Sequence, residues 1–411
     1  MPRNRLEAPI PSRRALAAVV LSALALGPAI AVTTGVAPAS ASSSPFPDAP
    51  PRSSEYVALG DSYAAGYGLP DPTGKPTEAC GQSADDYPHR IANAFHLDLT
   101  DVSCAGATSA NVASTRQNGQ PPQIAALSSR TRTVTLSIGG NDADLFGTAS
   151  SCLALSATGP VVSGTDVSNC RSKLVQDGTD TLAAKITGPV TKGITTALRA
   201  IRTAAPNAQI VVIGYPAIFP NTANTPSGGC FRSAVDASTL TGTFPTNSFP
   251  FTDVDVRYLH GVQRALDRAT EQAASAAGVS YVSMLSSTEA HSACATRKPY
   301  VKGVQLSASA GLKSIDLVPG ALHPNAAGAK AMASHGVAGI RAAYERAAAE
   351  ARASASASAT STPTPVPVVG SAGFGAIVIV IVIVGLVVAL AVVILVVRRR
   401  RRHRRERDRR S

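Results

Sequence analysis

The 411-residue chain contains no tryptophan, and its aromatic residues amount to only 4%. A surface that stacks nucleic-acid bases needs aromatic rings, so that class of function is disfavoured from the start. Charge is also scarce where it would matter. The formal net charge is +12, but ten arginines within 398–411, set against Glu406 and Asp408, supply +8 of it, and Arg3, Arg5, Arg13 and Arg14 against Glu7 supply +3. About +1 is left for everything between, which is no electrostatic footprint for DNA or RNA. No CxxC pair occurs, and no two histidines stand at a metal-ligand spacing such as HExxH. Neither a metal nor a redox dithiol is therefore expected, and no cofactor motif is present. The sequence shows no internal repeat.

Hydrophobic runs are confined to the two ends. "RR" at 13–14, the apolar "ALAAVVLSALAL" and the small residues "ASA" at 39–41 read as a signal peptide over 1–41. A Ser/Pro-rich lead-in over 42–54 follows. Near the other end, 376–397 is a run of 22 residues without a polar side chain, long enough as a helix to cross a hydrocarbon core. The Arg-rich segment 398–411 comes directly after it, as in a stop-transfer anchor with its positive side in the cytoplasm. Anionic lipid is the partner this tail would meet. The expectation is a single-pass cell-membrane protein with its folded domain outside and its tail inside. Residues 347–375, rich in Ala, Ser, Thr and Pro, read as a stalk. All six cysteines, Cys80, Cys104, Cys152, Cys170, Cys230 and Cys294, fall in the portion expected outside, where disulfides form. Their spacing alone leaves the pairing open.

Between 55 and 346 strand and helix patterns alternate. "YVAL" at 56–59, "LTDVSC" at 99–104, "TVTLSI" at 133–138, "QIVVIGY" at 209–215 and "VSYVSM" at 279–284 are strand candidates. Helical patterns run through 86–96, 180–205, 254–277 and 325–351, the second interrupted by Gly188-Pro189. Such alternation predicts an α/β fold, a central parallel sheet of about five strands with helices on both faces. In sheets of this kind the reactive groups collect beyond the C-terminal ends of the strands.

Four candidates lie at such ends. Ser62 follows the first strand in "GDS". Gly106 follows the second in "SCAGATSAN", and Asn141 the third in "GGND". His323 stands before the last helix in "GALHP". A serine nucleophile needs a base and hydrogen-bond donors for the developing oxyanion, and these four could supply both. Asp61 and Asp142 are expected to brace their own loops. His89, His96, His260, His291 and His335 are expected to be surface or structurally satisfied histidines. Ala64 stands where GxSxG would require its last glycine, which argues against an α/β-hydrolase elbow.

Taken in order, "GDS", the isolated glycine, "GGND" and the terminal His-Pro resemble the four blocks of the SGNH hydrolases, the GDSL esterase/lipase superfamily, over about 55–346. The resemblance implies a three-layer α/β/α, flavodoxin-like fold and a cofactor-free serine esterase. Ser62 would be the nucleophile and His323 the base. The oxyanion hole would consist of the backbone N–H groups of Ser62 and Gly106 and the side-chain amide of Asn141. Many members carry Asp three residues before the histidine; here that position is Gly320, and Asp316 is not trusted as a substitute. A secreted subset uses a backbone carbonyl there instead, which would make the Gly320 C=O the group orienting His323. The same subset implies sequential disulfides, Cys80–Cys104, Cys152–Cys170 and Cys230–Cys294. The expected partner is an ester, a lipid or an acylated glycan, acted on by a monomer anchored through the one C-terminal helix. An acyltransferase would share the acyl-enzyme. A non-catalytic surface binding module would keep the scaffold without the chemistry.

Overall fold

A computed structural model describes residues 47–360, apart from 165, 242 and 310–313. Five parallel strands form the central sheet: β1 (Glu55–Gly60), β2 (Asp98–Asp101), β3 (Thr133–Ser137), β4 (Gln209–Ile213) and β5 (Ser280–Val282). Their spatial order is β2-β1-β3-β4-β5, with Tyr56 opposite Thr133 and Val134 opposite Ile210. The three central strands are buried on both faces, so β1 and β4 read as near-continuous apolar runs, whereas β3 alternates and its buried Thr133, Thr135 and Ser137 hydrogen-bond Tyr344, Tyr56 and Tyr87.

Alternate residues of each strand serve opposite layers. Val57, Leu59, Val134, Leu136, Ile210 and Val212 pack on one side against α5 (Thr191–Ala204) and α6 (Asp253–Ala276). Tyr56, Ala58, Val211 and Ile213 pack on the other, against α2 (Tyr87–Phe95) and α7 (Ala326–Thr360). The shorter α1 (Ser62–Ala65), α3 (Ser109–Ala113) and α4 (Leu145–Ser151) follow β1, β2 and β3 directly. Gly188-Pro189 does not break its helix. The chain widens to a π-helical stretch over Ile186–Val190, which accommodates the proline before α5 continues.

A third apolar cluster lies outside the two main layers, among the long loops. Phe219, Phe249 and Phe251 meet there, edge or tilted, with centroids 4.8–5.6 Å apart. The disulfides Cys152–Cys170 and Cys230–Cys294 belong to this cluster, and Cys80–Cys104 joins the loop after α1 to the end of β2. Closing loops of 18 to 64 residues stabilises such segments by roughly 3–4 kcal/mol each.

Two sequence expectations change. α7 runs to Thr360, so the first part of the expected stalk is helix; its Ala-rich composition, read as low complexity, is also the best helix-forming composition. The single-pass membrane localisation, with an outside domain and a cytoplasmic tail, is also corrected. Among the described residues no helix is long and apolar enough to cross a membrane. The signal peptide, the run at 376–397 and the basic tail lie outside the described residues.

Candidate active site

The nucleophile candidate is presented by a sharp end to β1. Gly60 has φ +137°, and a Cβ there would lie 2.4 Å from the Ser137 carbonyl oxygen, so the strand can approach β3 only as glycine. The chain then turns into α1. Asp61 caps it by accepting the Tyr63 N–H at 3.0 Å, and Gly66, at φ +66°, ends it. Ser62 is thus held on a single helical turn above the C-terminal edge of the sheet.

His323 arrives from the other end of the chain on a turn that includes two left-handed residues, Gly320 (φ +88°) and Leu322 (φ +59°). Its Nε2 lies 2.7 Å from Ser62 Oγ, and its Nδ1 lies 2.7 Å from the Ala321 carbonyl oxygen. The carbonyl can only accept, so Nδ1 carries the proton and Nε2 is free to take one from Ser62. The orienting carbonyl expected at Gly320 is therefore replaced by that of Ala321. The Gly320 oxygen is already used to accept the His323 backbone N–H at 3.1 Å and close the turn. Asp316 lies exposed on the strand Ile315–Leu317 and accepts from Ser314.

Both side chains are nearly buried, Ser62 8% and His323 6% exposed. Burial disfavours imidazolium and, despite the opposing hydrogen bond to Ala321, pushes the His323 pKa down to about 4; nearby Lys302 lowers it further. The imidazole is neutral throughout the neutral range.

The oxyanion candidates converge on the same place. Gly106 has φ +80°, a conformation only glycine adopts without strain. Its loop is fastened on both sides: Ala105 N–H donates to the Cys80 carbonyl at 3.0 Å, and Gln117 Nε2 donates to the Ala105 carbonyl at 2.8 Å. Asn141 Nδ2 donates to the Ala107 carbonyl at 2.9 Å, which orients the amide and leaves its second hydrogen. Ser62, Gly106, Asn141 and His323 all line one cavity of about 440 Å³. Its other walls are mostly apolar and include Leu145, Phe146, Ile218, Phe219, Leu259 and Leu266. Phe146 stands at 5.7 Å from the His323 ring, centroid to centroid, and is 41% exposed.

The remaining polar residues have structural partners. Asp142 accepts from the Ser109 N–H at 3.0 Å and from its hydroxyl, tying the loop after β3 to α3. His260 meets Glu289 at 2.8 Å, and His291 stacks on Tyr300 at 4.1 Å. His96 caps the end of α2, and His335 is half-buried on α7. Among the described residues one group, Asp86, His89 and Asp101, has ligand atoms close enough to hold a metal. One oxygen of each carboxyl is used within the fold, and Asp86 Oδ2 and Asp101 Oδ2 are left without a hydrogen-bond partner. Asp86 Oδ1 accepts from the N–H and Nδ1 of His89, and Asp101 Oδ1 accepts from the N–H and hydroxyl of Ser103. The Asp86 and Asp101 carboxyl groups are both held above the usual carboxylate range, first by burial.

The sequence matches the GDSL-like Lipase/Acylhydrolase family over residues 58–331. The chain belongs to that family. It is similar to Lipase 2 of Streptomyces coelicolor, at 35% identity over 281 residues, 68% of this chain and 84% of that one. Among solved structures it is similar to phospholipase A1 from Streptomyces albidoflavus NA297, at 22% identity and a TM-score of 0.48 over 70% of this chain and 98% of that one. It is also similar to the lipase of Streptomyces rimosus, at 20% identity and the same TM-score of 0.48. As a GDSL-like hydrolase the protein is an enzyme, an esterase or lipase acting on carboxylic esters.

In this GDSL-like hydrolase several site residues carried no sequence signal. Ala321, Tyr63, Tyr215 and Lys302 line or brace the site through backbone groups and long-range contacts. Tyr63 donates to the Leu322 carbonyl at 2.6 Å, and Tyr215 donates to Asp61 Oδ2 at 2.5 Å. Lys302 Nζ donates to the Gly68 carbonyl at 2.5 Å. Of these, only Tyr63 could have been suspected, from its place beside Ser62.

Proposed function

We propose that this enzyme hydrolyses fatty-acyl esters through an acyl intermediate on Ser62. The observation that carries the reading is the 2.7 Å contact between His323 Nε2 and Ser62 Oγ in the wall of a mostly apolar cavity. As Ser62 Oγ attacks the ester carbonyl carbon, its proton passes to His323 Nε2. The carbonyl oxygen becomes an oxyanion, which the N–H groups of Ser62 and Gly106 and the amide of Asn141 are set to receive. Collapse of the tetrahedral intermediate breaks the bond to the alkoxy oxygen, which leaves as the alcohol with the proton from His323. Water then attacks the acyl-Ser62 carbonyl, giving its proton to His323. A second collapse frees the carboxylic acid and returns the proton to Ser62. The Ala321 carbonyl holds the tautomer but brings no full charge to the imidazolium.

The cavity favours an aliphatic acyl chain over an acetyl group. Its volume of about 440 Å³ is of the size that encloses small ligands, and its walls offer few groups to hydrogen-bond a sugar. The name of the similar Lipase 2 of Streptomyces coelicolor agrees with such a substrate. The three disulfides favour a compartment that lets them form. The test is hydrolysis of p-nitrophenyl esters from acetyl to palmitoyl by oxidatively folded protein, with Ser62→Ala and His323→Ala alongside. Both variants should lose activity, and the wild type should prefer chains longer than acetyl. Full activity in Ser62→Ala would sink the reading.

A further inference from the structure

Among the described residues no carboxylate, the partner that usually fixes a catalytic imidazole from outside, meets the ring of His323. One ring nitrogen meets Ser62 and the other Ala321 O, within its own turn. Something else must hold that turn against α1, because the two are 261 residues apart in the chain. Besides Lys302, whose Nζ reaches the Gly68 carbonyl, two half-buried tyrosines do so. Tyr63, next to the nucleophile, donates from its phenol to the carbonyl of Leu322, next to the base, at 2.6 Å. Its ring also lies 4.9 Å from the His323 ring, tilted by 32°. Tyr215 bridges the other pair of loops. Its phenol donates to Asp61 Oδ2, beside the nucleophile, at 2.5 Å and accepts the N–H of Gly140, beside Asn141, at 3.0 Å. The two rings meet edge to face at 4.7 Å.

We infer that Tyr63 and Tyr215 form a single brace that sets the relative positions of Ser62, His323 and Asn141, taking the place of the missing carboxylate. The inference rests on the assignment of Ser62 and His323 as nucleophile and base. Each phenol bonds only to residues flanking the reacting ones, so both are positioning residues. The Leu322 carbonyl is a telling acceptor. Leu322 is a non-glycine residue in left-handed conformation, which persists only when its surroundings fix it. Burial keeps both phenols far above their ordinary pKa, so neither donor is lost to ionisation at working pH. Losing one arm leaves the side chains present but less well aimed, and misplacement by about 1 Å can cost about 100-fold in rate.

The experiment compares Tyr63→Phe, Tyr215→Phe and Tyr344→Phe with wild type. Tyr344 is a control: its phenol bonds the Arg132 carbonyl and Thr133, at the N-terminal end of β3, away from the site. For each protein, kcat and KM on a p-nitrophenyl ester, Tm, and the rate of Ser62 labelling by a fluorophosphonate are measured. Tyr63→Phe is expected to lower kcat and labelling together, by roughly 10- to 100-fold, with KM within about twofold. Tyr215→Phe should lower kcat similarly. Tyr344→Phe should lower Tm while kcat stays at the wild-type value. Wild-type kcat and labelling in Tyr63→Phe, beside an inactive Ser62→Ala, would overturn the brace alone. Activity in Ser62→Ala would overturn the nucleophile assignment and the brace with it. Should Tyr63→Phe not fold, Tyr215→Phe decides through the other arm, and wild-type kcat there overturns the brace.

Discussion

The burial of His323 makes a quantitative statement about pH that can be read without any substrate. In the unfolded chain its imidazole takes up a proton near 6.5, whereas in the folded protein burial delays this until about 4. Between those values the unfolded state binds more protons, so folding stability must rise with pH there. The contribution is whole above about 6.5, erodes as the pH falls, and is gone below about 4. The difference between the two values is worth about 3 kcal/mol. His323→Gln cannot titrate and should not show this loss. The assay is urea unfolding of both proteins at intervals from pH 4 to pH 7. The wild type should lose about 3 kcal/mol relative to the variant across that range. Taking the difference matters, because Asp61 acts in the opposite sense. Burial raises its carboxyl to about 7, so its contribution is present at low pH and is lost as pH rises through 7. In the wild type alone the two slopes offset one another. A wild-type-minus-variant difference that stays flat would show that His323 titrates at its ordinary value, and would refute the desolvated base. The acid limb of kcat/KM should likewise fall near pH 4 rather than 6.5.

Other outcomes follow from the same contacts. Asp61→Asn should remove the opposing slope, so that its stability gains on the wild type as pH rises from 5 to 8, measured by the same unfolding series. Asn141→Ala should lower kcat by about 100- to 1000-fold through loss of an oxyanion donor, with the fold retained by circular dichroism. Replacing Cys80 and Cys104 together by serine should cost roughly 3 kcal/mol and lower kcat as well, because the Cys80 carbonyl anchors the loop that carries Gly106. Phe146→Ala, at the cavity mouth, should shift the preferred acyl length in a p-nitrophenyl ester series while leaving the Ser62 labelling rate near wild type.

The sheet was legible because β1 and β4, buried on both faces, are near-continuous apolar runs and β3 is a short β-branched one, all separated by helical periodicity. That pattern is local and survives in one dimension. The structure gathers Ser62, Gly106, Asn141 and His323 at one cavity, and these positions stood out in the sequence for a related reason: each sits at the edge of a strand or helix pattern, and the proposed chemistry restricts its residue type. Gly60 and Gly106 had to be glycine because their backbones adopt positive φ. The last part of the Ala-rich helix, beyond 351, was missed because its composition suits a loose stalk and a helix equally well. The orienting carbonyl was misplaced by one residue, since a backbone oxygen has no side-chain signature and only the handedness of Leu322 and Gly320 decides which one faces the ring. The tyrosine brace was invisible for the same kind of reason. Tyr63 meets Leu322, and Tyr215 meets Asp61 and Gly140, across separations of 75 to 259 residues. The sequence by itself determined the elements, their order and the chemistry available. Tertiary structure alone decided which backbone and phenol groups hold that chemistry in register, because those contacts depend on distances between chain segments that no local pattern encodes.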